Sequence, residues 1–268
     1  MKYNMQDMAD LFDKLVSSLK EHGFLNTLKK ICNRLIYPLK KIRYRLIRRF
    51  KIICNRLIRP LRIYVDASFD RQYGTDTAGF LRLKDLSIES ENKKHATHYE
   101  PTPVPLGRYL LRELKIDHSQ YTFIDYGSGK GRALLLASEY PFKKIVGIEF
   151  SPELNKISQT NIQIWKNDRQ QCFNIESICI DAAQYEIPDG PVVLFFFFPF
   201  QPPVLEKVVD RIKKSLFHSP RPLRILYYGI WDEKTELISS IGLGQEDLNV
   251  GRPFGATEKY QAILFYSD

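Results

Sequence analysis

Three glycines spaced behind one acid are the residues of this chain best suited to hold a ligand. In FIDYGSGKGRALLLASE, from Phe123 to Glu139, Asp125, Gly127, Gly129 and Gly131 give the pattern D-x-G-x-G-x-G, with Ser128 and Lys130 between the glycines. Each missing Cβ lets the backbone turn tightly or approach a bound molecule closely. The stretch passes from an apolar strand through the turn into a helix expected to start near Lys130, whose free N–H groups point back at the ligand. Such a turn by itself fits dinucleotide enzymes, nucleotide binders and plain tight turns alike. Two later acids narrow the choice. Glu149 closes the second expected strand in VGIEFSPEL, 24 residues after Asp125, where a carboxylate can accept both hydroxyls of a ribose. Asp181 closes the third in ICIDAAQY, where its side chain and the amide of Ala182 can hydrogen-bond an adenine edge. Each residue also has a plainer reading. Asp125 can cap the turn, Glu149 can be a solvated strand-end carboxylate, and Asp181 can N-cap the following segment. Lys130 reads as a solvent-facing turn residue, with approach to a carboxylate of the ligand as the alternative. In this order and spacing, the acids and glycines describe one crevice.

Regular alternation positions these residues. Strands are expected at Tyr121–Tyr126, Lys144–Phe150, Ile175–Ile180, Pro191–Phe198 and Leu223–Gly229, with helices at Gly131–Glu139, Pro152–Trp165, Val204–Leu216 and Trp231–Ile241. Two last segments, Gln245–Val250 and Tyr260–Tyr266, have no helix between them. Apolar strands separated by helices indicate a parallel sheet covered on both faces, closed by an antiparallel edge hairpin. Ligands in such sheets sit beyond the carboxyl ends of the strands. Ahead of the first strand, residues 66–120 read as a linker and lid region, irregular through YEPTPVP and ending in a helix over Leu106–Leu114. Within it Tyr99, beside Pro101 and Thr102, is the expected lid of the ligand, and Glu100 is more naturally solvated. Phe195 and Phe196 read as buried strand. Phe197 and Phe198, at the strand's carboxyl end, are candidates for the lining of a reaction pocket, and Tyr228 and Trp231 for core or rim.

The chain of 268 residues is 44% hydrophobic, enough for one good-sized core with an appendage. Its net charge of +9 is unevenly spread. Thirteen Lys and Arg and no acid lie between His22 and Val65, whereas residues 66–268 hold 24 bases against 27 acids. The basicity therefore marks residues 1–65 as an attachment surface and does not describe the reaction. This segment repeats ICNRLIYPLK from Ile31 as ICNRLIRPLR from Ile53. Leu39, Ile42, Leu46, Phe50, Ile53 and Leu57 form an apolar stripe opposite Lys41, Arg45, Arg48 and Arg59, as in a basic amphipathic helix, or two helices kinked at Pro38 and Pro60. Residues 29–62 can meet an anionic membrane surface or nucleic acid, and no run is long enough to span a bilayer. Cys32, Cys54, Cys172 and Cys179 follow no metal or disulfide spacing and no signal peptide precedes them, so a reduced, cytoplasmic setting is expected. His95, His98 and His118 show no metal-ligand spacing either, and no metal is expected.

The glycine motif, Glu149, Asp181 and the closing hairpin resemble the class I S-adenosylmethionine-dependent methyltransferases over about residues 99–268. The resemblance implies a Rossmann-like, seven-stranded, mostly parallel α/β sheet over residues 121–268 with an antiparallel C-terminal hairpin, and S-adenosyl-L-methionine as cofactor. It implies donor binding by Tyr99, Thr102, Asp125, Gly127, Ser128, Gly129, Gly131, Glu149, Asp181, Ala182 and Phe197, with Phe198, Tyr99 and Glu100 as catalytic candidates. An acid at the start of the turn suits the cationic end of that cofactor, whereas it would repel a pyrophosphate. The segment VVLFFFFPFQPPVLEKVVDRIKKSL and the YEPTP cluster resemble lysine methyltransferases of the disruptor-of-telomeric-silencing type, and D-Y-G-x-G-K-G-R with Y-x-P-T-P resembles bacterial methyltransferases of unassigned substrate. Where those relatives place Asn before Pro-Phe, this chain has Phe198, which removes a carbonyl acceptor for a substrate amine. The methyl acceptor is left open among a protein side chain, a nucleic acid and others, and a non-catalytic adaptor remains the alternative to an enzyme.

Overall fold

A computed structural model describes residues 67–82, 98–198, 200–230, 233–248 and 260–267. The expected amphipathic extension, His95, Pro199 and Trp231 lie outside the described residues.

Seven strands form one sheet: β1 (Thr122–Tyr126), β2 (Lys144–Glu149), β3 (Ile175–Cys179), β4 (Val192–Phe197), β5 (Leu223–Ile230), β6 (Gly244–Asp247) and β7 (Tyr260–Ser267). Their order is β3-β2-β1-β4-β5-β7-β6, with β1 to β5 parallel and β7 antiparallel to both β5 and β6. The expected closing hairpin is thus present, but of its two strands β7 lies inside the sheet and β6 is the edge. Burial explains the insertion. Ala262, Ile263, Leu264 and Phe265 are buried in succession, which requires cover on both faces and a neighbour on each side, whereas Gly244–Asp247 is exposed throughout and acidic at its end.

The described helices are α1 (67–73), α2 (Val104–Glu113), α3 (Arg132–Ala137), α4 (Pro152–Ile164), α5 (Pro202–His218) and α6 (Glu233–Ser239). Proline at the first helical position starts α4 and α5, and Ser151 caps α4 by accepting from the Leu154 N–H at 3.3 Å. The helix after the glycine turn is shorter than expected, six buried residues beginning at Arg132, because Gly131 is still left-handed at φ +86°. Strand alternation divides the sheet into two faces. Ile124, Tyr126, Leu194, Phe196, Ile225 and Tyr227 join Leu205, Val208, Val209 and Ile212 of α5 in the main core. Phe123, Asp125, Phe195, Phe197 and Tyr228 point to the opposite face, where α3 packs on β1 and β2 and α2 packs on α3.

Residues 67–82 do not behave as a linker. The Asp70 carboxylate closes this strap on itself, accepting from Thr75 Oγ1 (2.8 Å), Thr77 N (2.9 Å), Thr77 Oγ1 (2.5 Å) and Ala78 N (2.5 Å). Arg132, 1% exposed, donates from Nε to Thr77 Oγ1 at 2.7 Å and lies 3.8 Å from Asp70. Lys130 is not solvent-facing, as the sequence suggested, but 6% exposed, and its Nζ donates to Asp76 Oδ1 (2.6 Å) and Ala78 O (3.2 Å). The strap supplies these partners, and nothing local to the glycine turn announces them. Asn161 of α4 completes the join: its Nδ2 donates to Asp76 O and Lys130 O, and its Oδ1 accepts from Asp76 N.

Asp70→Ala leaves Arg132 buried without its acid and the strap without its clamp. A loss of about 3–5 kcal/mol of stability is expected, read as a lower urea midpoint at unchanged slope.

Candidate functional site

The glycine loop bridges the ends of β1 and β2. Gly127 and Ser128 both donate to Ile148 O, at 2.9 and 3.0 Å, and Gly131 N closes the turn on Ser128 O at 2.8 Å. Gly127, Gly129 and Gly131 have φ of +84°, +55° and +86°, a region that residues with a Cβ occupy only at a cost. They differ in what a side chain would meet. A Cβ on Gly131 would come within 2.4 Å of Ser158 Oγ, and one on Gly129 within 2.3 Å of the Tyr99 ring. A Cβ on Gly127 would enter open space.

The loop brings two carboxyl groups together beneath it, each residue 4% exposed. Glu149, the last residue of β2, accepts from Gly129 N through Oε2 and from Ser151 N through Oε1, both at 2.8 Å. Burial nevertheless raises its carboxyl to about 7, with these N–H groups pulling the other way. Asp125 is raised further, to about 8, first by burial and then by the charge of Glu149, and no hydrogen bond offsets this. Ser128 Oγ is buried over Gly147 without a hydrogen-bond partner. Asp125 and Ser128 thus keep bonding capacity unused, which a ligand bearing positive charge and hydroxyl donors would relieve.

The third strand end adjoins the second. Ile180 N donates to Glu149 O at 2.9 Å, which carries the β2–β3 ladder past the end of β3. Asp181 stands two residues beyond β3 and N-caps the 3₁₀ turn Ala182–Gln184, its Oδ1 accepting from Ala183 N at 2.9 Å, with Ala182 buried. Arg211 of α5 donates to Ala183 O and Glu186, fixing this turn from below.

Tyr99 lies across the loop. It forms an antiparallel bridge with Leu81, its hydroxyl donates to Thr77 O at 2.7 Å, and its ring rests on Gly129. With Leu81 and Phe150 it packs on Leu154, so an apolar patch flanks Glu149. Thr102 is buried, its methyl against Gly107. Glu100 is at the rim, 3.8 Å from His98, with its side chain 36% exposed. Phe195 and Phe196 are buried, while Phe197 and Phe198 are half-buried at the carboxyl end of β4. Asp70, Asp76, Lys130, Arg132 and Asn161 hold the loop in place; Lys130 was read as solvent-facing and the other four escaped the sequence reading. Their signal was the matching of two acids in the strap with two bases in G-K-G-R. Among the described residues, no three His, Cys, Asp or Glu side chains group as metal ligands, and no helix is long and apolar enough to cross a membrane.

No protein-family profile matches the chain, and no curated protein sequence matches it. Solved structures with a similar arrangement include a TehB-like S-adenosylmethionine-dependent methyltransferase from Corynebacterium glutamicum, with 15% identity, TM-score 0.42, and 59% of this chain and 86% of that one covered. An RNA methyltransferase from Salinibacter ruber in complex with S-adenosyl-L-homocysteine is 19% identical, with TM-score 0.41 and coverage of 62% and 93%. A geranyl diphosphate C-methyltransferase from Streptomyces coelicolor is 11% identical, with TM-score 0.44 and coverage of 62% and 78%. The fold is a Rossmann-like, mostly parallel α/β one, recognisable from its own strand order and the reversed β7.

Two outcomes follow from the geometry. A buried carboxyl raised from 3.8 to about 8 takes up a proton on folding, so its contribution is full below about pH 4 and is lost as pH rises toward 8. The ligand-free protein should therefore lose stability between about pH 4 and pH 8, by up to roughly 1.4 kcal/mol per pH unit for each such group. Asp125→Asn should flatten that slope in thermal unfolding scans. Gly127→Ala should cost about 1 kcal/mol of stability from its positive φ and should weaken ligand binding by more than that, because its methyl enters the open side of the loop.

Proposed function

We propose that the protein is a cytoplasmic S-adenosylmethionine-dependent methyltransferase. The observation that carries this reading is the pair of buried carboxyl groups, Asp125 and Glu149, under a loop of left-handed glycines with an open side at Gly127. The donor matches what these groups lack: an ammonium and a sulfonium for Asp125, and ribose hydroxyls for the remaining lone pairs of Glu149. Asp181 and the Ala182 amide suit an adenine edge, the Leu81, Phe150 and Leu154 patch suits its faces, and Tyr99 and Thr102 suit a cover at the methionine end.

When bound, this donor supplies an activated methyl group whose leaving group is a neutral thioether. The chain then needs to align an acceptor, hold the donor's charged end and exclude water. Asp125 and Glu149 hold the donor, and Tyr99, tied to Thr77 and laid on Gly129, keeps solvent from the loop. The half-buried rings of Phe197 and Phe198 line the acceptor side.

Calorimetry with S-adenosyl-L-homocysteine is the direct test. One-to-one binding is expected, with Asp125→Ala and Glu149→Ala each weakening it roughly tenfold to a hundredfold, the worth of a hydrogen bond to a charged group. Absence of heat in the parent, or unchanged affinity in both variants, overturns the reading.

The segregated charge supports a second element of function. An arm of thirteen bases and no acid joined to a chain otherwise rich in acid suits attachment to an anionic surface, and its apolar stripe favours a membrane over nucleic acid. In the full chain, Arg45→Glu with Arg48→Glu should abolish pelleting with vesicles containing anionic lipid. Retained pelleting together with loss of a salt-sensitive RNA shift would assign the arm to RNA instead.

A further inference from the structure

Asp125 is a buried acid to which the fold gives no base. Its register partners are Gly147 of β2, which has no side chain, and Phe195 of β4, whose ring has no hydrogen to donate to a carboxylate. The loop above commits its own donors elsewhere, with Gly127 N and Ser128 N on Ile148 O and Gly129 N on Glu149. The bases of the packed elements are committed too. Lys130 of the loop donates to Asp76, Arg132 of α3 to Thr77 beside Asp70, and Arg108 of α2 to the buried Glu139, at 2.6 to 2.8 Å. At the far end of α2 Arg112 lies against Glu113, and at the far end of β2 Lys144 lies against Glu176. The charged side chain that acts on Asp125 is Glu149, another acid.

A carboxyl in this position folds with its proton on. Ionising it alone would leave a charge in a low-dielectric compartment whose nearest charged neighbour repels it. A ligand changes that balance by bringing a positive charge of its own, and the cation then competes with the proton for the same oxygens. The protonated acid can accept or donate a hydrogen bond, but it offers no counter-charge to a desolvated ammonium.

We infer that the proton on Asp125 and the ammonium of the methyl donor exclude one another, so that donor binding releases this proton and weakens as pH falls; this rests on the methyl-donor reading above. On binding, the O–H bond of the Asp125 carboxyl breaks, the proton passes to water or buffer, and the carboxylate pairs with the ammonium. The exchange leaves the net charge of the compartment unchanged. Burial lifts Asp125 to about 8. Between about pH 6 and pH 7 the acid is therefore mostly protonated, while an α-amino group, with an ordinary value of roughly 8, is mostly charged. Across that window each pH unit of acidification weakens binding about tenfold. Acidification thus withdraws the donor before any acceptor is involved.

The test is titration calorimetry on the full chain with S-adenosyl-L-homocysteine, which carries the ammonium, and with adenosine, which lacks it. Each is run at about pH 6 and about pH 7 in phosphate and in imidazole, buffers of low and high ionisation heat, so that the difference in heat counts the protons. S-adenosyl-L-homocysteine should bind about tenfold more tightly at the higher pH and release about one proton more than adenosine. Any proton displaced from Glu149 by ribose hydroxyls is common to the two ligands and cancels. This comparison needs no variant. Asp125→Asn should bind S-adenosyl-L-homocysteine more weakly and lose the extra proton, whereas Glu149→Gln should keep it. Equal affinity for S-adenosyl-L-homocysteine at the two pH values, equal proton counts for the two ligands, or an extra proton that survives Asp125→Asn overturns the coupling with the donor reading intact. Absence of S-adenosyl-L-homocysteine binding in the parent at either pH overturns the donor reading and the coupling with it.

Discussion

Burying two acids side by side at the ends of β1 and β2 is the constraint to which the rest of this structure answers. Glu149 is made tolerable by N–H groups from Gly129 and Ser151, and Asp125 receives no such help. For Gly129 to reach Glu149, the chain must reverse within a few residues, which is why three glycines in five positions are left-handed. The same loop keeps opposite charges apart. Its backbone turns toward the acids while Lys130 and Arg132 project away and are buried against Asp76 and Asp70. Each side of the loop is thus a low-dielectric compartment with its own charge to satisfy: on the strap side the protein provides both partners, and on the strand-end side it provides one.

That asymmetry separates structure from function in neighbouring residues. Lys130 and Arg132 belong to the scaffold although they lie in the most conspicuous motif, and the proposed function gives Asp125 to the site because no hydrogen bond offsets its burial. The strap has a comparable double character. Asp70, Thr77 and Asn161 fasten it to the loop, and in doing so they hold Tyr99 on Gly129, so the stability of the fold and the cover of the crevice depend on shared hydrogen bonds.

Much of this was legible in the chain. Five parallel strands, their helices and the acid at the end of β2 followed from period and spacing, because fully apolar strands and prolines at helix starts are local signals. The placement of β7 between β5 and β6 was not, since a hairpin pattern leaves open which strand is outermost, and only the contrast of buried Ala262–Phe265 with exposed Gly244–Asp247 decides it. Lys130 was misread because its partner Asp76 lies 54 residues earlier. The left-handed turn at Phe198, at φ +49°, had no glycine or asparagine to announce it. Long-range ion pairs and strain carried by an aromatic residue are products of tertiary packing, to which periodicity is blind.

The inserted position of β7 also sets an order of events for the nascent chain. β6 is made before β7 yet has no partner among the described strands until β7 arrives, and β7 must first find β5 across a separation that reaches 44 residues at Leu223 and Ser267. During synthesis, β5 therefore emerges with one flank bare and its hydrogen-bonding groups open to other chains. Closure of that flank is a late step of high contact order, so a cell making this protein has reason to shield the half-built sheet until residues 260–267 have left the ribosome.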